Sequence, residues 1–314
     1  MREFFLSVSS RRFRGVARPA LVVFAALLCA LNGCQALSGG KKKEPEKKGM
    51  FWNVPLLGDL VSADVLPISP SNRRDWAPTH AVLPEVEWDG GRFTVKNVRN
   101  FEYVTEDDYL VRYENRTYDL KDLETVDFIV VPFPQSPSLA HTMLSFGFKG
   151  DKYLASSIEV RLENGEKYSP VLGAMRQYEI MYVLADERDV IRLRTEVRNN
   201  DVYVYRVQTE PTRVRELLVD VIDRVNKLHD EPEFYDTLTN NCTTNIVKHV
   251  NKLVPDRVPY DYEILLPGLS PQLAYRLGLI DTRVSLEELN RRSNVTARAH
   301  QYRSAADFSR QIRR

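Results

Sequence analysis

Alternation of apolar and polar residues dominates the chain between about Val82 and Val207. The segments that show it are short and rich in β-branched and aromatic residues, a pattern typical of half-buried strands. These segments are RFTVKNV, DFIVVPF, TMLSFGF, YLASSIEVRL, EIMYVLA, VIRLRTEV and VYVYRV. The acidic stretch LADERDV, residues 184–190, separates two of them and is predicted to be a polar turn. The pattern therefore predicts a strand-rich body.

The period changes after Pro211, where apolar residues recur every three or four positions. Residues 212–230 are predicted to form an amphipathic helix, and a second helix is predicted over about residues 242–253. The inward positions are Val214, Leu217, Leu218, Val221 and Val225 in the first helix, and Ile246, Val250 and Leu253 in the second. Because the helices follow the strands, the predicted class is α+β, an antiparallel sheet with packed helices.

The hairpin formed by TMLSFGF and YLASSIEVRL allows its register to be predicted. Its apolar residues are even-numbered in both strands, namely Leu144, Phe146, Phe148, Leu154, Ile158 and Val160. Matching these two apolar faces requires a three-residue turn at 149–151 that pairs Phe148 with Lys152. The same register places His141 opposite Glu159.

The N-terminal region has the layout of a secretory signal. Five arginines precede an apolar run, residues 20–33, which is too short to span a bilayer comfortably. The run ends in LNGC, which resembles the bacterial lipobox, a motif whose cysteine (here Cys34) is lipidated before the signal is cut. The pattern predicts a lipoprotein signal peptide at residues 1–33, with an uncleaved anchor as the alternative. Gln35 favours the outer membrane over retention at the inner membrane.

Residues 34–85 are predicted to form a lipidated tether and an N-terminal segment. The charged run GGKKKEPEKKG is typical of a disordered linker, and the apolar stretch MFWNVPLLGDLVSADVLP is predicted to pack on the body rather than touch the bilayer. At the other end, residues 281–314 form a basic tail, with seven arginines from Leu289 onward against one acid, Asp307. This tail is predicted to be a solvated helix or a contact with anionic lipid. The formal net charge of +1 indicates no particular partner, and no nucleic acid is expected.

The sequence contains three cysteines, of which the predicted signal and lipidation account for two. Cys29 leaves with the signal and Cys34 becomes a thioether, so Cys242 has no intramolecular disulfide partner. Turn-forming residues place Cys242 in the first turn of the second helix, with Asn240 and Asn241 as capping candidates. The helix dipole there favours a thiolate, and the Cys242 N–H with Asn240 or Asn241 is expected to stabilise an oxyanion. Cys242 is therefore either a reactive thiol or a buried structural one.

A thiol nucleophile needs a base, and the chain contains five histidines. His249 lies on the same helix as Cys242, about 10.5 Å further along its axis, which is too far for a hydrogen bond. His141 opens a predicted strand directly after a loop, so it is the candidate general base. Glu159 and Ser157 share its face of the hairpin and are candidates to orient it.

Other types of site have little support in the sequence. No spacing of histidine, cysteine and acidic residues indicates a metal site, and no glycine-rich phosphate loop is present. No cofactor is therefore expected.

The alternative to a catalytic role for Glu159 is a surface ladder in which Glu159 pairs with Arg161 on the same strand face.

Several of these segments together resemble the Lnb N-terminal periplasmic domain family. They are LAHTMLSFGF, SSIEVR, YEIMYVLADERDVIRLRT, PEFYDTLTNNCTTNI and LLPGLSPQLAYRLGLID. The resemblance covers about residues 93–279, within a domain predicted at residues 86–280. It implies a circularly permuted papain-like (NlpC/P60-like) fold, in which the histidine precedes the cysteine, and a Cys–His acyl-transfer site. The family's namesake moves an acyl chain within a lipoprotein and carries a membrane-spanning half that this sequence does not show after its signal.

The predicted function is that of a cell-envelope lipoprotein with a thiol acyltransferase or hydrolase site. Its substrate is an acyl ester or amide of a lipid or lipoprotein, and its anchor is the membrane lipid on Cys34. A peptidoglycan amidase or peptidase of the NlpC/P60 type is the alternative enzyme. A non-catalytic envelope scaffold is the alternative from another class. The predicted location is the periplasmic face of the outer membrane.

Overall fold

The structure is a computed structural model, and it describes residues 69–314. It is a mixed α+β protein with a mostly antiparallel sheet, so the predicted class is confirmed. The strands are β1 (Glu85–Asp89), β2 (Arg92–Arg99), β3 (Glu102–Tyr103), β4 (Tyr109–Leu110), β5 (Tyr113–Asp119), β6 (Leu123–Phe133), β7 (Ser136–Phe148), β8 (Lys152–Arg161), β9 (Glu179–Ala185) and β10 (Tyr203–Arg206). The helices are α1 (Pro170–Ala174), α2 (Glu187–Arg192), α3 (Pro211–Asp230), α4 (Cys242–Leu253), α5 (Tyr262–Leu265), α6 (Ser270–Arg276), α7 (Leu286–Ser293), α8 (Thr296–Gln301) and α9 (Phe308–Gln311). The predicted signal peptide, Cys34 and the tether lie outside the described residues.

The main sheet has the strand order β1-β2-β9-β8-β7-β6-β10, and β5 pairs with β2. The contact between β2 and β9 is parallel, whereas the other pairings are antiparallel. Strands β3 and β4 form a separate two-stranded hairpin. Strand β8 lies in the middle with β7 beside it, so side chains from this hairpin are well shielded.

The β7–β8 hairpin has the predicted register, with Phe148 opposite Lys152. The regular pairing continues as far as Met143 and Ser157 and then stops, although both strands run on. The register is fixed because the even-numbered apolar residues of both strands face one core. The end of the regular pairing matters because the candidate site lies there.

The two faces of the sheet carry separate cores. One face, which we call the helical face, is covered by α3 and α4. Its core includes Leu144, Phe146, Leu154 and Ile158 from the hairpin, and Leu218, Val221 and Val225 from α3. The opposite face, which we call the charged face, is covered by α2, α8 and α9. Its core includes Met143, Ala155, Met181, Val183, Ile191, Ala299, Phe308 and Ile312.

Residues 184–197 differ from the predicted polar turn and strand VIRLRTEV, and both predictions were wrong. After the end of β9 the chain forms α2 and then a π-helical turn, Leu193–Val197. Asp186 caps α2 by accepting a hydrogen bond from the N–H of Arg188 at 2.9 Å. The alternation resembles a strand only if its charged residues face solvent, yet Arg194 is 3 % exposed and paired with a carboxylate. The alternation in VIRLRTEV therefore does not indicate a strand, because its charged residue Arg194 is buried in an ion pair.

The basic tail packs against the charged face, which neither predicted alternative anticipated. Phe308 and Ile312 are fully buried. The guanidinium of Arg313 lies between two buried carboxylates, 2.9 Å from Asp127 and 2.5 Å from Glu187. The many arginines of the tail suggested a solvated segment, yet Phe308 and Ile312 are apolar residues that attach the tail to the body. At least one of the arginines, Arg313, neutralises carboxylates inside the protein.

Candidate functional site

Cys242 is the first residue of α4, as the turn-forming residues predicted. Asn241 caps the helix, and its side-chain oxygen accepts a hydrogen bond from the N–H of Thr244 at 2.9 Å. In return the Thr244 hydroxyl accepts a hydrogen bond from the Asn241 N–H at 2.8 Å. This reciprocal capping box fixes the start of the helix. It therefore fixes the position of the Cys242 thiol, which is 8 % exposed.

His141 lies on β7, two residues before the first regular pair with β8. Its Nε2 lies 2.7 Å from the hydroxyl oxygen of Ser157 and 3.3 Å from Oε1 of Glu159. The structure thus brings His141 together with both residues that were predicted to orient it. Its side chain is 13 % exposed, and Nδ1 remains for a second partner.

Glu159 is held by more than the histidine. Its Oε1 accepts hydrogen bonds from the Ser157 hydroxyl at 2.5 Å and from Nη2 of Arg194 at 2.9 Å. Arg194 also donates to the carbonyl oxygen of Val190 at 3.0 Å, which keeps its guanidinium in place. The sequence analysis missed Arg194, because an arginine in a strand-like segment carries no signal for its partner. It lies in the π-helical turn, a feature frequently found at functional sites.

Glu159 and His141 stabilise each other in the charged form. Burial raises the pKa of Glu159, but the charges of His141 and Arg194 outweigh burial and hold that pKa well below its usual 4.5. Burial and the charge of Arg194 lower the pKa of His141, but the charge of the Glu159 carboxylate and the hydrogen bonds of Cys242 and Glu159 together raise it above 6.5. The imidazole is therefore easily protonated at the place where the thiol meets it.

The Cys242 thiol is acidic for a shielded cysteine. Burial raises its pKa, but the hydrogen bond and charge of His141, together with hydrogen bonds from Thr142, lower the pKa from 9.0 to about 7. Thr142 contributes both its hydroxyl and its backbone N–H. This residue comes just before Met143, where regular pairing with β8 ends. Near neutral pH about half of the thiol is thus a thiolate, which is the nucleophilic form.

A direct contact joins the sheet to the helix at the site. The hydroxyl of Thr142 lies 3.0 Å from that of Thr243, and both side chains are buried. Each threonine is the chain neighbour of one member of the pair, His141 and Cys242. The contact therefore sets the distance between the imidazole and the thiol through the backbone of both elements.

The side chains of Asn240 and Asn241 each use one amide hydrogen in the local structure, and the expected role of one of them at an oxyanion stays a prediction. The amide nitrogen of Asn240 donates to the carbonyl oxygen of Phe234 at 2.8 Å. That of Asn241 donates to the carbonyl oxygen of Thr237 at 2.7 Å. Both asparagines shape the loop and cap that present Cys242. Backbone N–H groups at the helix start are further candidate donors for an oxyanion.

Arg161 is not the partner of Glu159, which corrects the predicted surface ladder. Its guanidinium donates to the carbonyl oxygens of His80 and Ala81 at 3.0 and 3.1 Å, and it stacks on the ring of Trp76 at 4.1 Å. These contacts hold the loop that precedes β1. Arg161 therefore supports the fold, and Arg194 takes the place expected for it beside Glu159.

An apolar cavity of about 90 Å³ adjoins the start of α4. Its lining reaches Thr243, whose hydroxyl lies 3.8 Å from the Cys242 sulfur. Apart from Thr243 and Ser270 the lining is hydrocarbon, and the Ser270 hydroxyl is satisfied by the carbonyl oxygen of Pro267. The apolar lining consists of Phe128, Leu144, Val207, Leu217, Ile246, Val247, Val250, Val258, Ile264, Leu273, Ala274, Leu279 and Ile280. A hydrocarbon group fits this surface better than a polar one.

Membrane-spanning helices and clusters of metal ligands are both absent from the described part of the chain. Between residues 69 and 314, no helix has the length and apolar character needed to cross a membrane. Within that range, no three or more histidine, cysteine or acidic side chains converge as metal ligands would.

The fold and the site define a mixed α+β protein in which an acidic thiol at a helix start meets a histidine on the sheet. The family model of the Lnb N-terminal periplasmic domain matches residues 109–268, and the chain belongs to this family. The resemblance found in the sequence is thereby confirmed, and the match spans both Cys242 and His141. Membership of a periplasmic domain family fits a location in the bacterial cell envelope. No curated protein and no solved structure matches the chain.

Proposed function

We propose that the protein is a cell-envelope thiol acyltransferase or hydrolase that acts on an acyl ester or amide of a lipid or lipoprotein. The observation that carries this proposal is the lowered pKa of Cys242, about 7, beside a histidine whose pKa is raised. A purely structural cysteine needs neither shift. In the proposed site Cys242 is the nucleophile and His141 the general base and then acid. Glu159, Ser157 and Arg194 are positioning residues that act through His141.

The proposed reaction uses the thiolate and the imidazolium in turn. The Cys242 thiolate attacks the substrate carbonyl carbon and forms a C–S bond, and the negative charge moves to the carbonyl oxygen beside the helix start. His141 gives its proton to the leaving alcohol or amine as the old C–O or C–N bond breaks. An amine or a water molecule then attacks the thioester and passes its proton to His141. The C–S bond breaks and the thiolate is restored.

The cavity beside Thr243 favours a hydrocarbon group over a polar one, and its volume of about 90 Å³ holds a few methylene groups of an acyl chain. The cavity beside Thr243 is lined almost entirely by hydrocarbon, and each square ångström of apolar surface buried there contributes about 25 cal/mol. A peptide would leave polar groups without partners on the same surface. The peptidoglycan amidase and the non-catalytic scaffold are therefore the alternatives that the test must separate.

We also propose the finer features of fold and location that the sequence predicted. The permuted papain-like fold is supported by the chain order, with His141 on a strand before Cys242 at a helix start. Lipidation of Cys34 is supported by the LNGC motif, and the outer membrane by Gln35. Replacing Cys34 by Ser should release the protein from membranes, and unchanged fractionation with the signal still attached would contradict this.

The enzymatic proposal is tested by trapping the acyl-enzyme. The purified mature protein is incubated separately with a palmitoyl phospholipid and with a muramyl peptide, quenched in acid, and its intact mass is measured. We expect a palmitoyl adduct that hydroxylamine removes and that is absent from the Cys242→Ala variant. An adduct from the muramyl peptide alone supports the amidase. The scaffold is supported if neither donor modifies Cys242.

A further inference from the structure

Large apolar side chains are exposed on both sides of the loop that leads into Cys242. Tyr168 and Met175 are each 43 % exposed on one side, and Tyr260 and Tyr262 are 60 % and 54 % exposed on the other. We call these four residues the site rim. Soluble proteins expose single apolar residues routinely, but a group of them around one site indicates a surface that is covered in use.

The site rim is attached to the loop rather than merely near it. Three contacts make the attachment: the Tyr168 ring packs edge-on against the Tyr235 ring at 6.1 Å, the Tyr260 hydroxyl donates to the carbonyl oxygen of Leu238 at 2.6 Å, and Arg176, next to Met175, pairs with Asp236 at 3.1 Å. The exposed aromatic rings are therefore held in defined positions. Preorganised side chains lose little entropy on binding, so this surface is suited to docking.

The N-terminal end of the described chain arrives beside the same loop. Pro70 borders a shallow hollow together with Asn240 and Lys248. The N–H of Ser71 donates to Glu179 at the start of β9, at 2.9 Å. Residues 35–68 connect this point to the predicted lipid on Cys34. The tether thus joins the body beside the loop that leads into Cys242.

We propose that the site rim docks on the interface of a phospholipid bilayer. Tyrosine is favoured at this interface because its ring is apolar and its hydroxyl is polar. The exposed cations Arg176 and Lys248 suit anionic headgroups, whereas the exposed carboxylate of Asp261 opposes them. Docking is therefore weak alone and adds to the lipid anchor, in keeping with the rule that stable attachment takes two signals. It goes beyond the proposed function, because docking requires no turnover.

Vesicle binding of a non-acylated chain tests the site rim separately from the anchor. The mature chain carrying Cys34→Ser is mixed with vesicles of phosphatidylethanolamine and phosphatidylglycerol, and the bound fraction is measured by sedimentation. We expect the added double change Tyr260→Ser and Tyr262→Ser to lower the partition coefficient about tenfold, since each ring buries part of its apolar area. The apolar stretch at residues 50–67 is present in both proteins and does not affect their comparison.

The matched control removes equally exposed apolar groups elsewhere. Val104 and Leu110, in the β3–β4 hairpin, are 75 % and 61 % exposed. Replacing both by Ser should leave vesicle binding unchanged. The proposal is overturned if the non-acylated chain does not bind vesicles, if the rim variant binds as well as its parent, or if the control loses as much.

A fluorescent probe gives a second measurement that needs no catalysis. In the chain carrying Cys34→Ser and Cys242→Ala, a nitrobenzoxadiazole label is placed at Tyr262→Cys or, as control, at Leu110→Cys. Vesicles should brighten and blue-shift the label at position 262 and leave the one at 110 unchanged. Equal spectra at both positions reject the proposal. Because this protein lacks the nucleophile, the result stands whether or not the enzymatic proposal fails.

Discussion

The two faces of the sheet are stabilised by different interactions, and the candidate site lies where they meet. On the helical face, α3 and α4 pack through aliphatic side chains. On the charged face, buried or half-buried carboxylates each contact an arginine, in the pairs Asp189–Arg99, Glu187–Arg313 and Glu159–Arg194. Cys242 comes from a helix of the first face, and the side chains of His141 and Glu159 lie with the second.

The difference shows that the candidate nucleophile is positioned by aliphatic packing, whereas its base is positioned by ion pairs. Aliphatic packing is not directional, so it tolerates changes that keep volume and pattern. A buried ion pair is intolerant, because removing one partner leaves an unpaired charge in the interior. We therefore expect changes near Cys242 to act through its own chemistry, and changes on the charged face to act through the protonation of His141 or through stability.

The largest effect should come from replacing Cys242 and His141, which belong to different faces of the sheet. Cys242→Ala should abolish turnover, and His141→Ala should lower it by about 10²–10⁴-fold, the usual contribution of a general base. The double variant should resemble Cys242→Ala alone, because the base has no role without its thiol. Steady-state kinetics with the acyl donor measures these rates.

The same variants should still fold. Their stability therefore tells whether Cys242 and His141 have a catalytic or a structural role. We expect a loss of about 1 kcal/mol in the free energy of unfolding for each, a typical value for a single substitution. Urea denaturation followed by circular dichroism provides the control. Normal activity combined with a large loss of stability would instead make Cys242 a structural thiol.

The next effect concerns the acidity of the thiol. Because the Cys242 pKa is lowered to about 7, its alkylation by iodoacetamide should rise with a midpoint near pH 7. In His141→Ala the stabilising charge and hydrogen bond of the imidazole are gone while burial still disfavours the thiolate, so the midpoint should move to clearly higher pH. Alkylation rates measured by mass spectrometry across pH give both midpoints. A midpoint that does not move on loss of His141 rejects the pairing of the two residues.

A smaller effect should follow from changes to the support on the charged face. The charge of Arg194 lowers the pKa of both Glu159 and His141, so its loss should raise both pKa values. We expect Arg194→Met to lower activity about tenfold, less than loss of the base itself, because Glu159 loses a hydrogen-bond partner that holds it beside His141, and to move the basic limb of the pH–rate profile, set by His141, to higher pH. Arg192→Met is the matched control, because among the described residues Arg192 forms its ion pair with Glu196, and both side chains are partly exposed. Equal profiles for the two variants would show that Arg194 is purely structural.

The smallest effect on the site should come from replacing Arg313, another arginine of the charged face. Arg313→Gln leaves the buried carboxylate of Glu187 without its guanidinium, which should lower the free energy of unfolding by about 3 kcal/mol. The alkylation midpoint of Cys242 should stay near 7, since Arg313 is not among the groups that set it. Arg310→Gln, which removes a more exposed pair with Asp307, is the control for stability. A shifted midpoint in Arg313→Gln would show that the two faces are coupled.

The sequence predicted the features that depend on local signals or on a repeating apolar pattern. The start of α4 at Cys242 follows from the turn and cap residues before it. The pairing of Phe148 with Lys152 follows from matched apolar faces and the length of one turn. That register brought His141 within reach of Glu159, because a hairpin relates positions close in sequence.

The features that the sequence did not reveal depend on charges buried between distant segments. Nothing in VIRLRTEV shows that Arg194 meets a carboxylate of β8. Nothing in the tail shows that Arg313 lies between Asp127 and Glu187. Polar residues inside a protein look the same in a sequence as polar residues on its surface, so α2 was read as a turn and strand.

The capping box at the start of α4 has a consequence for inhibitors. Its two hydrogen bonds occupy the N–H groups of Asn241 and Thr244. Among the described hydrogen bonds, the N–H groups of Cys242 and Thr243 have no acceptor. Such a helix end accommodates one charged oxygen atom and lacks the donors that a phosphate group would need. We expect a long-chain aldehyde, which adds to the thiolate and leaves a single oxygen, to protect Cys242 from alkylation, whereas inorganic phosphate should give no protection.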